Sequence, residues 1–447
     1  MTGAALAAQA PVTGLSFSTA RPVLESLRDN LRPAEFRGRS IGDIEAAWPA
    51  WVERRNREIR ARVEQGDEDS IINVLLFGTT FTSEPRLTEQ ELATGFVNRG
   101  PVVERRIADL VARTAAPGNE RLEFVHVFAA RRGMDPTTAA GAASLRTYLT
   151  QGVARVTRER RELAARATAA IERVLTDPAT GLPEASTLYA DRGLASDTSL
   201  FIDFAVDAAL DALRMNEVLA PASVRRAAII GPGLDFADKR EGYDFYPQQT
   251  MQPFAVADGL LRRGLAPGGG AAMAAFDVSP RILQHIATAR TRAAAGDGYV
   301  IQLARDTSAE WNPNLVAYWT QFGGRIGTAV PPAAPPPGVP VAMRAIRVRP
   351  DVVGAVEPRD INVVLQQATG APFDLVVATN ILVYYDVFEQ SLALANIAGM
   401  LRPGGILLTN TPVFQLPSIP LTQVGFTDVL YTREASGRDR IFWYRRD

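Results

Sequence analysis

A chain of 447 residues is too long for one compact core, so at least two domains are expected. With 47% hydrophobic and 22% charged residues it has a globular composition, and no apolar run approaches the roughly 20 residues of a membrane helix. The 48 basic and 49 acidic side chains leave a formal net charge of -1, which argues against a nucleic-acid partner, since such a partner demands a cationic excess. The absence of cysteine excludes disulfides, thiolate catalysis and Cys-ligated metals. Only His126 and His285 are available for imidazole chemistry, so neither a Ser-His-Asp triad nor a metal centre is expected.

Residues 1–19 read as a flexible leader. The Ala8-Gln9-Ala10 run resembles the end of an export signal, but a basic start and a full apolar stretch are missing. Residues 20–200 read as a mainly helical domain. Pro49 to Val63 predicts one helix, and Gln151 to Leu175 predicts another from apolar residues recurring at three, four or seven. Asp177-Pro178 ends the latter, because the residue before proline avoids the α region. The apolar run Ile71 to Phe77 reads as core, and this half carries no motif tied to chemistry.

From residue 201 the pattern changes. Asp203 to Leu219 predicts an amphipathic helix, followed by short apolar strands separated by helical stretches. The strands expected are Ala227 to Ile230, Ala272 to Phe276, Val352 to Val356, Phe373 to Ala378 and Ile406 to Thr409. A last pair, Phe426 to Tyr431 and Arg440 to Tyr444, lies close enough in sequence for an antiparallel hairpin. The fold class expected for 201–447 is therefore α/β, doubly wound, with a mostly parallel seven-stranded sheet and a C-terminal hairpin. Tyr299 to Val341, with a helix at Asn314 to Phe322 and an extended proline-rich tract after it, reads as an insertion. It is expected to cover the cleft, with Trp311 and Trp319 as lid aromatics.

Three places carry candidate chemistry. Gly231 and Gly233 follow the first strand, where a doubly wound sheet lets the backbone approach a ligand. Asp235 stands where a dinucleotide fingerprint has its third glycine, which disfavours NAD. Asp277 ends the second strand, where an acid accepts hydrogen bonds from both ribose hydroxyls; capping the next helix is the alternative. Asn380 ends the fourth strand, with Tyr384 and Tyr385 shortly after it. The loop residues Tyr243, Asp244, Tyr246, Gln248 and Gln249 read either as ligand contacts or as ordinary surface, while both histidines read as structural.

The block Asn380-Ile381-Leu382-Val383-Tyr384-Tyr385-Asp386, with the later Leu401-Arg402-Pro403-Gly404-Gly405, resembles class I S-adenosylmethionine-dependent methyltransferases. Within that class it is most similar to the chemotaxis-receptor glutamate methyltransferase family, over about 225–447. The resemblance implies S-adenosylmethionine as cofactor, with Gly231, Gly233, Asp235, Asp277 and Asn380 around it and Asp360-Ile361-Asn362 beside adenine. It further implies a cytoplasmic enzyme using Asn380 and Tyr384 in the transfer pocket, toward an oxygen or nitrogen acceptor on a small molecule or protein. The glycine loop lacks that family's acidic pair, and the N-terminal half does not match its small basic domain, so a non-catalytic scaffold is the alternative.

Overall fold

The computed structural model describes residues 12–176, 187–237, 243–432 and 437–447. The N-terminal part contains strand β1 (Val12–Gly14) and helices α1 (Phe17–Ser26), α2 (Ile41–Phe77), α3 (Glu89–Ala93), α4 (Gly100–Thr114), α5 (Glu120–Arg131) and α6 (Ala139–Thr176). The Asp177-Pro178 stop signal lies outside the described residues.

The remainder alternates strand and helix. In chain order it comprises α7 (Leu200–Met215), β2 (Arg226–Ile230), α8 (Gln252–Arg262), β3 (Ala272–Asp277), α9 (Pro280–Ala294) and β4 (Tyr299–Asp306). There follow α10 (Pro313–Gln321), β5 (Gly327–Val330), β6 (Val341–Val348), α11 (Pro350–Gly354), β7 (Val356–Asp360) and β8 (Gln366–Ala368). The chain closes with β9 (Phe373–Val377), α12 (Val387–Met400), β10 (Leu401–Thr409), β11 (Leu421–Leu430) and β12 (Arg438–Arg446).

Seven strands form the central sheet in the order β11-β12-β10-β9-β2-β3-β7. All neighbours from β10 to β7 are parallel; only β12 runs antiparallel to both β10 and β11. This is an α/β fold with a mostly parallel central sheet and a helical N-terminal region. The strand order reverses between β2 and β9, so β2 ends at the topological switch point, where such sheets open a cleft.

Both sheet faces are apolar, as a parallel sheet covered on two sides requires. Ala227, Ile229, Leu375 and Val377 enter one core with α7, α8 and α9, while Ala228, Ile230, Val376 and Ala378 enter the other with α1, α2 and α12. Leu15 to Ile59 therefore belongs with the sheet, and a boundary near residue 200 does not mark where the cores divide.

Several predicted elements change length. The helix expected from Pro49 begins at Ile41, capped by Ser40, and keeps Pro49 inside it. An internal proline costs about 3 kcal/mol; the offset comes from burial of Trp48 and Trp51, which stack at 5.0 Å and pack against Phe36 and Phe388. Ile71 to Phe77 turns out to be the far end of this same helix, buried in a third core with α4, α5 and α6. A single 37-residue rod thus links the sheet to the helical region. The third strand is Val356–Asp360, because Pro350, preset for a helix start, winds 350–354 into a turn of helix. Met251 stands at the N-cap of α8.

The 299–341 segment supplies β4, α10 and β5, which join β6 just after it in a separate antiparallel sheet, β4-β6-β5. Trp311 is buried 5.5 Å from Phe201, and Trp319 donates its indole N–H to Leu303 O at 3.2 Å. Neither lines the cavity at the C-terminal ends of β2, β3 and β9, so the expectation of lid tryptophans is not met. Their rings have apolar partners to bury against, and a lid would have left that area in water.

Candidate active site

A cavity opens over the C-terminal ends of β2, β3 and β9. Gly231 and Gly233 both line it, with φ of 68° and 70° that only glycine adopts without strain. Gly231 N donates to Phe276 O at 2.8 Å, tying the turn to the neighbouring strand end. Asp277 lines the same cavity, and its Oδ1 accepts the Ser279 amide at 2.8 Å. Ser279 is the residue at the N-cap of α9, so Asp277 supports the helix start while its carboxyl borders the cavity. Burial pushes the Asp277 carboxyl up to about 7, against the opposing effect of the backbone amides of Ser279 and Val278.

Asn380, Ile381, Tyr384 and Tyr385 form the wall beyond β9. Asn380 is exposed, with φ 58°, a left-handed conformation that asparagine tolerates better than most residues. Its amide N–H bonds Asn410 Oδ1 at 2.8 Å, and its own Oδ1 accepts from Asn410 Nδ2 at 2.6 Å. This pair holds the end of β9 to the end of β10. Tyr384 packs edge-on to Tyr189 at 6.0 Å, and its carbonyl accepts from Arg62 of α2 at 2.7 Å. The cavity thus brings together Gly231, Gly233, Asp277, Ile361, Asn380 and Tyr384.

Three other candidates stand outside it. Asp235 is buried, accepting from Tyr246 Oη at 2.9 Å and from Gln249 Nε2 at 3.1 Å. Asp360 is exposed and pairs with Arg60 at 2.7 Å. Asn362 is 0% exposed: its Nδ2 donates to Asn56 at 2.9 Å and its Oδ1 accepts from Val364 N at 3.2 Å. The geometry makes these three locks between elements rather than cavity walls.

The described residues of the loop after Gly233, 234–237 and 243–249, are largely buried and do not line this cavity. Asp244 accepts from the backbone amides and hydroxyls of Thr79 and Thr80 just beyond α2. Arg121 of α5 reaches four carbonyls of the loop, those of Asp235, Phe236, Asp244 and Tyr246. Both histidines are structural: His126 bonds Thr114 O at 2.8 Å, and His285 bonds Tyr299 Oη at 2.9 Å. Burial, with Arg281 and Arg292 nearby, pushes His285 down to about 4, so it is neutral at physiological pH.

Sequence reasoning missed the roof. Val63 of α2 and the segment Leu194 to Thr198 close the cavity from the N-terminal side. α2 and this segment meet at Gly66, where an added Cβ would fall 1.8 Å from Leu194 O, so only glycine permits the approach. Leu194 N donates to Arg62 O at 3.0 Å, Leu234 N to Ser196 O at 2.6 Å, and Asn73 Nδ2 to Asp197 at 2.8 Å. Arg281 of α9 bonds Ser196 Oγ at 2.7 Å and pairs with Asp67 at 3.0 Å. No periodicity marks residues 187–199, which leaves such a roof invisible in the sequence. Gln252 and Thr379 were also missed; both line the cavity, and Gln252 Nε2 donates to Thr379 Oγ1 at 2.9 Å.

No family model and no curated protein sequence matches this chain. Among solved structures it is similar to the N-methyltransferase NodS from Bradyrhizobium japonicum in complex with S-adenosyl-L-homocysteine, at 13% identity over 54% of this chain and 85% of that one, TM-score 0.26. The mitomycin 7-O-methyltransferase MmcR is 12% identical over 91% of this chain and 100% of its own, TM-score 0.29. Magnesium protoporphyrin IX methyltransferase from Synechocystis with bound SAM is 11% identical over 63% of this chain and 91% of its own, TM-score 0.26. Overlaps this loose carry no argument about this chain, whose fold class rests on its own strand order.

Proposed function

We propose that the chain is an S-adenosylmethionine-dependent methyltransferase acting on an oxygen or nitrogen nucleophile. The observation that carries this reading is one cavity at the switch point, lined together by the Gly231–Gly233 turn and the Asp277 carboxyl. The residues fit the cofactor. Asp277 is the acceptor for ribose hydroxyls, the two glycines form the tight turn at the edge of the cavity, and Ile361 and Phe276 supply apolar wall. The cofactor, when bound, supplies a methyl group already activated on a sulfonium.

The chain's part is therefore to align an acceptor and exclude water. Val63 and Leu194 to Thr198 roof the cavity, and the faces of Tyr384 and Tyr385 attract a cation. Asn380 stands at the mouth, held by Asn410, where it can orient the acceptor. An enzyme drawing on S-adenosylmethionine, a cytosolic metabolite, belongs in the cytoplasm; among the described residues no helix is long and apolar enough to cross a membrane.

Calorimetric titration with S-adenosylmethionine and S-adenosylhomocysteine tests the reading. Saturable binding of both is expected; binding of neither would return the scaffold alternative. Once an acceptor is found, Asn380→Gly is expected to lower kcat by more than it raises the cofactor Kd, since orientation matters most in the transition state. Glycine removes the amide without straining the φ of 58°. Tyr384→Phe keeps the ring face and is expected to lower kcat less; an equal loss would assign the hydroxyl a role.

A further inference from the structure

The cavity has a polar roof that the proposed function uses only to exclude water. Ser196, Asp197 and Thr198 all line it, and among the described lining residues Asp197 and Asp277 are the charged side chains, with no cation beside them. The roof segment is fixed against the glycine turn. A Cβ added at Gly233 would fall 2.7 Å from Thr198 Cβ, 3.1 Å from Ser196 O and 3.4 Å from Asp197 O. Leu234 N donates to Ser196 O at 2.6 Å, and the Arg281 guanidinium donates to Ser196 Oγ at 2.7 Å. Ser196 and Thr198 are 6% and 8% exposed, whereas Asp197 between them is only half-buried. The Asn73 amide of α2 donates to Asp197 Oδ2 at 2.8 Å. A carboxylate accepts about four hydrogen bonds, so it can serve this donor and a ligand together.

We propose that Asp197, carried by the roof and not by the sheet, binds the α-ammonium at the amino-acid end of the cofactor. This rests on the methyltransferase reading above. Strand order gives the direction in which the ligand lies. With the ribose on Asp277 at the end of β3, one side leads to β7, beyond which Ile361 and Val363 offer an apolar wall for a flat base. The other side leads to β2 and the Gly231–Gly233 turn, so the amino-acid end lies there, beneath residues 196–198. The first strand and its turn supply no acid at that place. Arg226 to Leu234 contains none, and the next along the chain, Asp235, bonds Tyr246 and Gln249 outside the cavity. An ammonium entering a roofed site gives up water and needs a charged acceptor in exchange. Asp197 is the acid the cavity offers on that side, and Asn73 ties it to the N-terminal helix α2.

The test titrates the full chain calorimetrically with S-adenosylhomocysteine and with its deaminated analogue, which keeps the nucleoside and the carboxylate but lacks the ammonium. The wild type is expected to prefer S-adenosylhomocysteine by roughly tenfold or more, the worth of one hydrogen bond between charged groups. Asp197→Asn keeps the shape and removes the charge. It is expected to weaken S-adenosylhomocysteine by that factor and to leave the analogue unchanged, so that the preference disappears. A wild type that binds the two ligands equally overturns the inference, and this comparison needs no variant to fold. Equal weakening of both ligands by Asp197→Asn, the mark of a roof merely loosened, also overturns it, as does no weakening; each of these leaves the methyltransferase reading intact. A wild type that binds neither ligand overturns both.

Discussion

Asp277→Ala is expected to weaken S-adenosylhomocysteine by more than any other single change in the cavity. Two ribose hydroxyls lose a charged acceptor, each bond being worth roughly 1.5–3 kcal/mol, so the affinity should fall by about a hundredfold or more. The pH dependence carries a sign. Burial lifts the folded-state carboxyl to about 7, above its unfolded value, so the free protein holds a proton that the unfolded chain has released. This contribution to stability is complete below the ordinary Asp range and is lost as pH rises through about 7. Hydroxyl donors favour the ionised form, so ligand binding expels that proton. Affinity in the wild type should therefore climb as pH rises toward 7 and then level off, whereas Asp277→Asn should show no such rise. Titration calorimetry in buffers of different ionisation enthalpy measures the released proton directly. A folded Asp277→Ala variant with unchanged affinity would sink the ribose assignment.

The largest effect on stability is expected at Arg121. Its guanidinium is 1% exposed and serves the carbonyls of Asp235, Phe236, Asp244 and Tyr246, with its charge 5.5 Å over the Tyr246 ring. Arg121→Met keeps an apolar stem but strands those carbonyls away from water. A buried acceptor left unpaired costs about 1–3 kcal/mol, so a loss of roughly 3 kcal/mol or more is expected in denaturant unfolding. The loop released is the one that leaves the Gly231–Gly233 turn, so cofactor affinity should fall alongside stability even though Arg121 does not line the cavity. A loss under about 1 kcal/mol would mean that the loop finds its own partners.

The strands β2, β3, β9 and β10 and the glycine turn were legible because their signal is local. A short β-branched or alanine-rich run ending at glycine or an acid needs no tertiary knowledge to read. The position of Asp277 followed from the same logic, since a strand end at the switch point faces the cleft whatever packs around it. Asp235, Asp360 and Asn362 came instead from the family resemblance, and their side chains bond Tyr246 and Gln249, Arg60, and Asn56 respectively. Only the last two partners belong to α2, and no sequence pattern announces that a helix some three hundred residues earlier packs there.

By itself, the sequence determined the alternation of strand and helix, the closing hairpin and the placement of glycine and acid at strand ends, because hydrophobic period and backbone restriction act over a few residues. Tertiary structure alone decided that α2 runs unbroken through Pro49 from sheet to helical region, that Leu194 to Thr198 roofs the cavity, and that Trp311, buried, and Trp319, half-buried, pack away from it. Each of these is set by which apolar surfaces meet across long stretches of chain. That choice belongs to the packed core as a whole, where burial of Trp48 and Trp51 outweighs a local helix breaker and a glycine at 66 admits a passing backbone.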